Sequence, residues 1–279
     1  MNGDGFGDLI IGAEGGDPNG AAGESYVVFG RAPDGPVARV GSAADQYISG
    51  GAFGDSLSGL DGDDRLEGRG GGDSLDGGPG RDTAVYAHSS SGVSASLRAP
   101  GGNLGDAAGD TYISIDNLVG TGFADVLSGN GLANAIFGGN GNDRLRGRGG
   151  NDVLVGGIGM DVQTGGNGAD TFRFTATGDT RAGAARDRIT DFNAGSPGTS
   201  VDKIDLRPID SRIEVVGNQA FSFIGTAAFS GISGQLRITL KGTTTIVSGD
   251  VNGDSIADFR IALLNVNDLA NLTAIDFVR

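Results

Sequence analysis

The stretch GGNGNDRLR, GRGGNDVLV, GGIGMDVQT, residues 138–164, decides how this chain folds. Each nonapeptide opens on glycine and carries an aspartate sixth. The eighth residue is apolar in two of the three, and Gln163 breaks the rule in the last. Moving outward, the same nine-residue spacing gives Asp55, Asp64, Asp73 and Asp82. After an interruption it gives Asp125, Asn134, Asp143, Asp152, Asp161 and Asp170. Two residues after these stand Leu57, Leu66, Leu75 and Ala84, then Leu127, Ile136, Leu145, Leu154 and Phe172. A fixed period of this kind signals a stacked repeat architecture.

Each unit reads as a glycine turn of about six residues followed by a strand of about three. One inward side chain per strand cannot bury a core alone. Two units make one coil, and stacked coils bury a ladder of Leu and Ile. The turns stack too, so the Asp side chains and the turn carbonyls line a channel between coils. G-G-x-G-x-D-x-U-x is the pattern of calcium-binding β-helix repeats. Oxygen donors without Cys or His suit a hard cation, Ca²⁺ rather than Zn²⁺. The candidate ligands are the ten ladder residues from Asp55 to Asp170. The carbonyls of Gly138, Asn140, Gly147, Gly149, Gly156, Ile158, Gly165 and Asn167 join them. Asn134 weakens one site, because an amide oxygen brings no charge.

The composition agrees. Glycine supplies 55 of 279 residues, nearly three times its usual share of about 7%. It recurs with a period of nine rather than three, and Pro is only 7, which excludes collagen. The net charge of −15 repels nucleic acid and anionic membranes and attracts divalent cations. There is no cysteine, hence no disulfide framework, and metal is the expected staple of a secreted chain. No apolar run reaches the ~20 residues of a membrane span. Residues 1–20 show no N-terminal secretory signal.

The chain divides into five parts. Repeat blocks occupy 46–85 and 120–173, and an insert, 86–119, holds two short strands, GVSASL and TYISI. Residues 174–279, with TFRF just before them, carry strand-like runs: DRITDF, DKIDL, RIEVV, FSFIG, LRITL, TTTIVSGDV and DFRIALL. The final NVNDLANLTAIDF reads as a short helix or turns. Asp187, Asp191, Asp202 and Asp205 read mainly as turn and edge residues. The loop DVNGDSIAD, with Asp250, Asn252, Asp254 and Asp258, echoes the opening of an EF-hand loop, but Ser255 replaces its glycine. It is a weaker calcium candidate.

From residue 50 onward the chain resembles the C-terminal part of serralysin-type metalloproteases and related repeat-in-toxin (RTX) exoproteins. The resemblance rests on the nonapeptides and on GGNGADTFRF, DRITDF, DKIDL, GDVNGDSIADFRIAL and the terminal IDFVR. It implies an all-β fold: a right-handed parallel β-roll binding several Ca²⁺ ions, followed by a β-sandwich-like region. It also implies secretion to the extracellular space by type I machinery, through an uncleaved C-terminal signal. Asp276, Phe277 and Val278 fit that signal, and Arg279 departs from it. Residues 1–45 carry a second resemblance, to one FG-GAP blade of integrin-like β-propellers. There Asn2, Asp4 and Asp8 match a calcium loop whose first Asp would precede Met1, as if the sequence starts inside a longer protein.

No catalytic apparatus is legible. The chain has one histidine, His88, so H-E-x-x-H is excluded, and there is neither a G-x-S-x-G elbow nor a Walker lysine. Paired carboxylates are abundant, but those committed to Ca²⁺ cannot also shuttle protons. The expectation is a non-enzymatic calcium-binding module that folds on binding Ca²⁺. The alternatives are a calcium-dependent surface adhesion protein and the rear of a secreted exoenzyme.

Overall fold

The computed structural model describes residues 9–12, 25–28, 35–180, 183, 186–195, 201–212, 214, 216–266 and 268–278. Among them the only helical pieces are four single 3-10 turns, Pro100–Gly102, Gly105–Ala107, Leu269–Asn271 and Ala274–Asp276. No described helix is long and apolar enough to cross a membrane. Everything else is strand and turn.

Successive strands alternate between two faces. One face is a continuous nine-stranded sheet. Its spatial order is Tyr47–Ser49, Arg65–Glu67, Thr83–Val85, Asn117–Val119, Ala135–Asn140, Val153–Ile158, Thr171–Arg173, Lys203–Asp205 and Phe277–Val278. All its pairings are parallel. The opposite face is broken. Ala38–Val40, Ser56–Ser58, Ser74–Asp76 and Thr111–Ile113 form a four-stranded sheet. Ser94–Ser96, Val126–Ser128, Arg144–Gly149, Val162–Asn167 and Arg188–Ile189 begin a second nine-stranded one. The insert therefore divides one face only. Its Asn117–Val119 strand, not foreseen in the sequence, carries the other face through without a gap.

Repeat strands pair with those eighteen residues on, as Leu145 with Gln163 and Ile136 with Leu154. That register stacks the inward residues into rows. Leu66, Ala84, Leu118, Ile136, Leu154, Phe172 and Ile204 line one side and Leu127, Leu145 and Ile189 the other, all fully buried. Burying one Leu contributes ~1.5–3 kcal/mol, less than ordering its nine-residue unit costs. The apolar ladder cannot hold the roll alone.

The front boundary is a correction. Ala38–Val40 pairs with Ser56–Ser58, so the roll starts before residue 46 and takes in the end of the supposed propeller remnant. Leu9–Gly12 and Ser25–Val28 form an antiparallel pair, while Asn2, Asp4 and Asp8 lie outside the described residues. In the second block the four strands Ala135–Asn140, Arg144–Gly149, Val153–Ile158 and Val162–Asn167 run six residues rather than three, continuing into the turn.

The sandwich-like tail turns out to be the same two layers continued. Lys203–Asp205 and Phe277–Val278 extend the continuous face. Phe259–Leu264 pairs in parallel with Arg188–Ile189 and then leads an antiparallel meander, Thr244–Asp250 and Gln235–Lys241. Ser222–Phe223 forms its edge. Of the expected strand RIEVV, the described residues Arg212, Glu214 and Val216 are irregular, and Ile213 and Val215 lie outside the described residues. The last expected segment is two 3-10 turns followed by the buried strand residue Phe277.

Gln163 occupies a core row between Leu145 and Ile189. It is fully buried, and neither amide atom has a hydrogen-bond partner. A buried amide without partners costs ~1–3 kcal/mol. Gln163→Leu, close to it in volume, is expected to raise the urea midpoint of the folded chain by an equivalent amount. A lower midpoint would show that the amide has a partner.

Candidate metal centre

The sixth-position aspartates stack along the roll, and one hydrogen-bond rule connects them. Each backbone N–H donates to Oδ1 of the aspartate one coil further toward the C-terminus. Asp125 N reaches Asp143 Oδ1 at 2.9 Å, Asp143 N reaches Asp161 at 2.8 Å, and Asp152 N reaches Asp170 at 2.9 Å. In the first block Asp55 N reaches Asp73 and Asp64 N reaches Asp82. The rule starts at Val37 and Gln46, whose N–H groups reach Asp55 and Asp64.

The second oxygen of these carboxylates has a different fate. Oδ2 of Asp64, Asp73, Asp82, Asp143, Asp152, Asp161, Asp170 and Asp187 is buried without any hydrogen-bond partner. In all of these but Asp187 it faces the glycine that opens its own unit. At Gly147 an added Cβ would meet both Asp152 Oδ2 and the carbonyl of Gly165 from the next coil, each inside 3.0 Å. Gly138 stands in the same relation to Asp143 and the Gly156 carbonyl. The opening glycine is required here by close approach: two oxygens already occupy the space a side chain would fill.

Burial has a clear electrostatic signature. Desolvation pushes the carboxyls of Asp73, Asp143, Asp152 and Asp161 up to about 7 and that of Asp187 to about 8. Asp82 and Asp202 rise to about 6, and Asp64, Asp110, Asp125 and Asp170 are raised for the same reason. The N–H donors pull the other way and do not prevail. A row of buried, partnerless anionic oxygens beside backbone carbonyls fits a hard, oxygen-seeking cation. Among the described residues no group of three acidic or histidine side chains converges. The array offers one carboxylate per turn, so the remaining ligands have to be carbonyls.

Of those carbonyl residues, Asn140 pairs directly with Ile158 and Gly149 with Asn167. Ile158 O also accepts the Gly141 N–H at 2.8 Å, which commits one lone pair. Gly147, Gly156 and Gly165 present their carbonyls to the opening glycine of the preceding coil.

Not every ladder position is alike. Asp55 and Asp125 direct Oδ2 to N–H groups of their own turns, Gly51 and Thr121. Asn134 reverses the pattern: its amide donates to Asp116 O at 2.7 Å, a bond a carboxylate could not make. Four further aspartates join the ladders. Asp73 N reaches Asp110 and Asp82 N reaches Asp116, both in the insert. Asp161 N reaches Asp187 and Asp170 N reaches Asp202, which corrects the reading of the latter two as turn and edge residues. The nine-residue spacing is lost at Asp110, Asp187 and Asp202, and at Asp116 it holds only toward Asp125, yet each is followed two residues later by Tyr112, Leu118, Ile189 or Ile204. That Asp-x-apolar triplet was the signal to follow. At Asp110 the second oxygen is satisfied by the buried Tyr86 hydroxyl at 2.7 Å.

Asp191 instead caps the turn at Gly165 and Gly166. Asp205 is held at about 2 by Arg207, with Arg173 also bonded to it. The Asp250 loop does not form a cation site. Asp250 accepts the N–H groups of Gly253 and Ser255, Asn252 that of Asp254, Asp254 that of Ile256, and Asp258 that of Val251. The acidic oxygens hold the loop's own backbone. His88 is exposed and bonds buried Glu67 at 2.8 Å.

Two family profiles match the chain. Peptidase M10 serralysin C terminal covers residues 114–278, and the RTX calcium-binding nonapeptide repeat (4 copies) covers 49–84. Similar solved structures include the AlgE6R3 subunit of the Azotobacter vinelandii mannuronan C5-epimerase, 33% identical over 56% of this chain and 78% of that one, TM-score 0.39. The AlgE6R2 subunit of the same enzyme is 28% identical over 57% and 90%, TM-score 0.38. The extracellular lipase LipA from Serratia marcescens is 19% identical over 89% of this chain and 40% of that one, TM-score 0.35. No curated protein sequence matches.

A carboxyl raised in the folded state stabilises it fully below the ordinary carboxylate value of about 4. It loses that contribution as pH rises through the shifted value. With cations chelated, the folded chain is therefore expected to be most stable near pH ~4. Its stability should fall progressively from there to about pH 8, because the unfolded chain's carboxyls ionise near ~4 while those of Asp82, Asp202, Asp73, Asp143, Asp152, Asp161 and Asp187 in the folded chain ionise only at about 6 to 8. Thermal melts in chelator across that range check the sign. A melting temperature that rises with pH would contradict it.

Proposed function

The chain belongs to the peptidase M10 serralysin C-terminal family, and we propose that its aspartate ladders are the calcium sites of a non-catalytic, calcium-folded module of a secreted protein. Calcium binding is the property of its RTX repeats. The observation that carries the reading to residues is the set of buried Oδ2 atoms without partners. Asp64, Asp73, Asp82, Asp143, Asp152, Asp161, Asp170 and Asp187 would hold the ions, with the Gly147, Gly156 and Gly165 carbonyls among the remaining ligands. When bound, Ca²⁺ supplies the positive charge these carboxylates otherwise lack.

The chain's own residues do the rest. Oδ1 fixes each carboxylate by accepting the N–H of the preceding coil, so Oδ2 is presented rather than mobile. The opening glycines keep the space beside it clear. Without the ion, ionised carboxylates would stand buried and unpaired, and the coils would separate. At the calcium levels of a cell interior the chain would then be unfolded and suited to type I export. Outside, at affinities on the order of 10⁻⁴–10⁻³ M, binding would fold it. A site filled at ten times its Kd adds about 1.4 kcal/mol, and several approach a domain's usual ~5–15 kcal/mol.

The family profile is defined on the C-terminal part of a peptidase. That favours a second reading, in which the chain is the calcium-dependent rear of a larger exoenzyme. A catalytic motif in the reading frame upstream would decide for it.

Far-UV circular dichroism during Ca²⁺ titration from chelator is expected to show strand signal appearing cooperatively. Asp152→Asn should move the midpoint to higher Ca²⁺ by several-fold. A strand signal at neutral pH that chelator leaves unchanged would overturn the reading.

A further inference from the structure

The antiparallel meander of the tail carries a pocket of about 290 Å³ on the face turned away from the core. Its floor is a cross-strand row, Arg237 opposite Ser248 and Ser248 opposite Arg260. Neighbouring strands stand about 4.8 Å apart, so the two arginines flank the serine and reach over it from either side. Phe229 forms one wall, with the Arg237 guanidinium 5.4 Å from its ring centroid. Ser255, Ile256 and Ala257 form the other. No acidic side chain lines the pocket, in a chain with 35 acidic residues against 20 basic.

A second observation points the same way. Arg237 Nε is buried with no hydrogen-bond acceptor, and its Nη2 has only a long bond, 3.5 Å, to Thr226 O. The guanidinium is thus oriented by the Phe229 ring rather than neutralised by a carboxylate. A planar fork of donors held this way matches an oxyanion, and Ser248, Ser255 and Thr239 add hydroxyl donors around it. The loop that forms the far wall is locked by Asp250 and Asn252, whose oxygens accept its backbone N–H groups.

We propose that this pocket binds a single oxyanion, a carboxylate or a phosphate ester, borne on a body the size of one sugar ring. The inference is independent of which ions fill the aspartate ladders. The test is calorimetric titration of the calcium-loaded full chain with glucuronate, with glucose 6-phosphate and with neutral glucose. Saturable binding of either anion and none of glucose is expected, and the two anions separate a carboxylate site from a phosphate site. Arg237→Gln should weaken that binding at least tenfold. Ile256→Asp, at an exposed position that leaves the sheet intact, should do the same by repulsion, with strand content confirmed by circular dichroism. Equal binding of glucose would overturn the proposal. So would anion binding that survives both substitutions, because capture by the bound calcium ions would be indifferent to them.

Discussion

The roll depends on a single repeated compromise: a carboxylate buried between stacked turns, with one oxygen satisfied by backbone and the other left bare. The Asp143, Asp161 and Asp187 ladder shows it in full. The N–H bond fixes the coil spacing, and the bare oxygen makes that spacing conditional on a positive charge. One buried apolar side chain per strand is too thin a core to override the condition. On the proposed function, stability and ion binding are one property, located in the same eight carboxylates whose second oxygen is buried without a partner.

Most of the fold was legible because the nine-residue period ties chemistry to geometry. Asp152 is followed by Leu154, and both appear where the repeat puts them. What escaped were positions where the period slips but the contact survives. Asp110 and Asp116 sit 37 and 34 residues from their partners Asp73 and Asp82, rather than 18. Three-dimensional stacking tolerates a loop of any length between coils, whereas a period does not. The opposite error arose at Asp250, where closely spaced acidic residues resembled a cation loop. Such side chains equally well cap their own turn's N–H groups, and only coordinates separate the two uses. Strand lengths were also beyond the sequence, since Ala135–Asn140 keeps pairing through glycines that read as turn.

The tail, expected to be β-sandwich-like from the family resemblance, is two layers of strand, and those layers continue the roll's own with a change of connectivity, beginning where Ile189 pairs with Leu263. The change from parallel coils to an antiparallel meander exposes a sheet face with full-length side chains. Arg237 and Arg260 stand on that face.

The ladder also has a polarity. Within each repeat block the ladder residues donate their N–H to the coil on the C-terminal side, and the ladders close first at the insert, where Asp110 N finds Ala107 O and Asp116 N finds Asp82 O, and again in the tail. Asp187 N finds Thr180 Oγ1, and Asp202 N finds Asn193 O. The two ends of the roll are thus unequal before trimming. Removing a coil from the front leaves every remaining aspartate-ladder donor with its acceptor, whereas removing one from the back strips acceptors from the ladder of the coil before it; the strand bonds run the other way, as from Ser74 N to Asp55 O and from Arg144 N to Asp125 O.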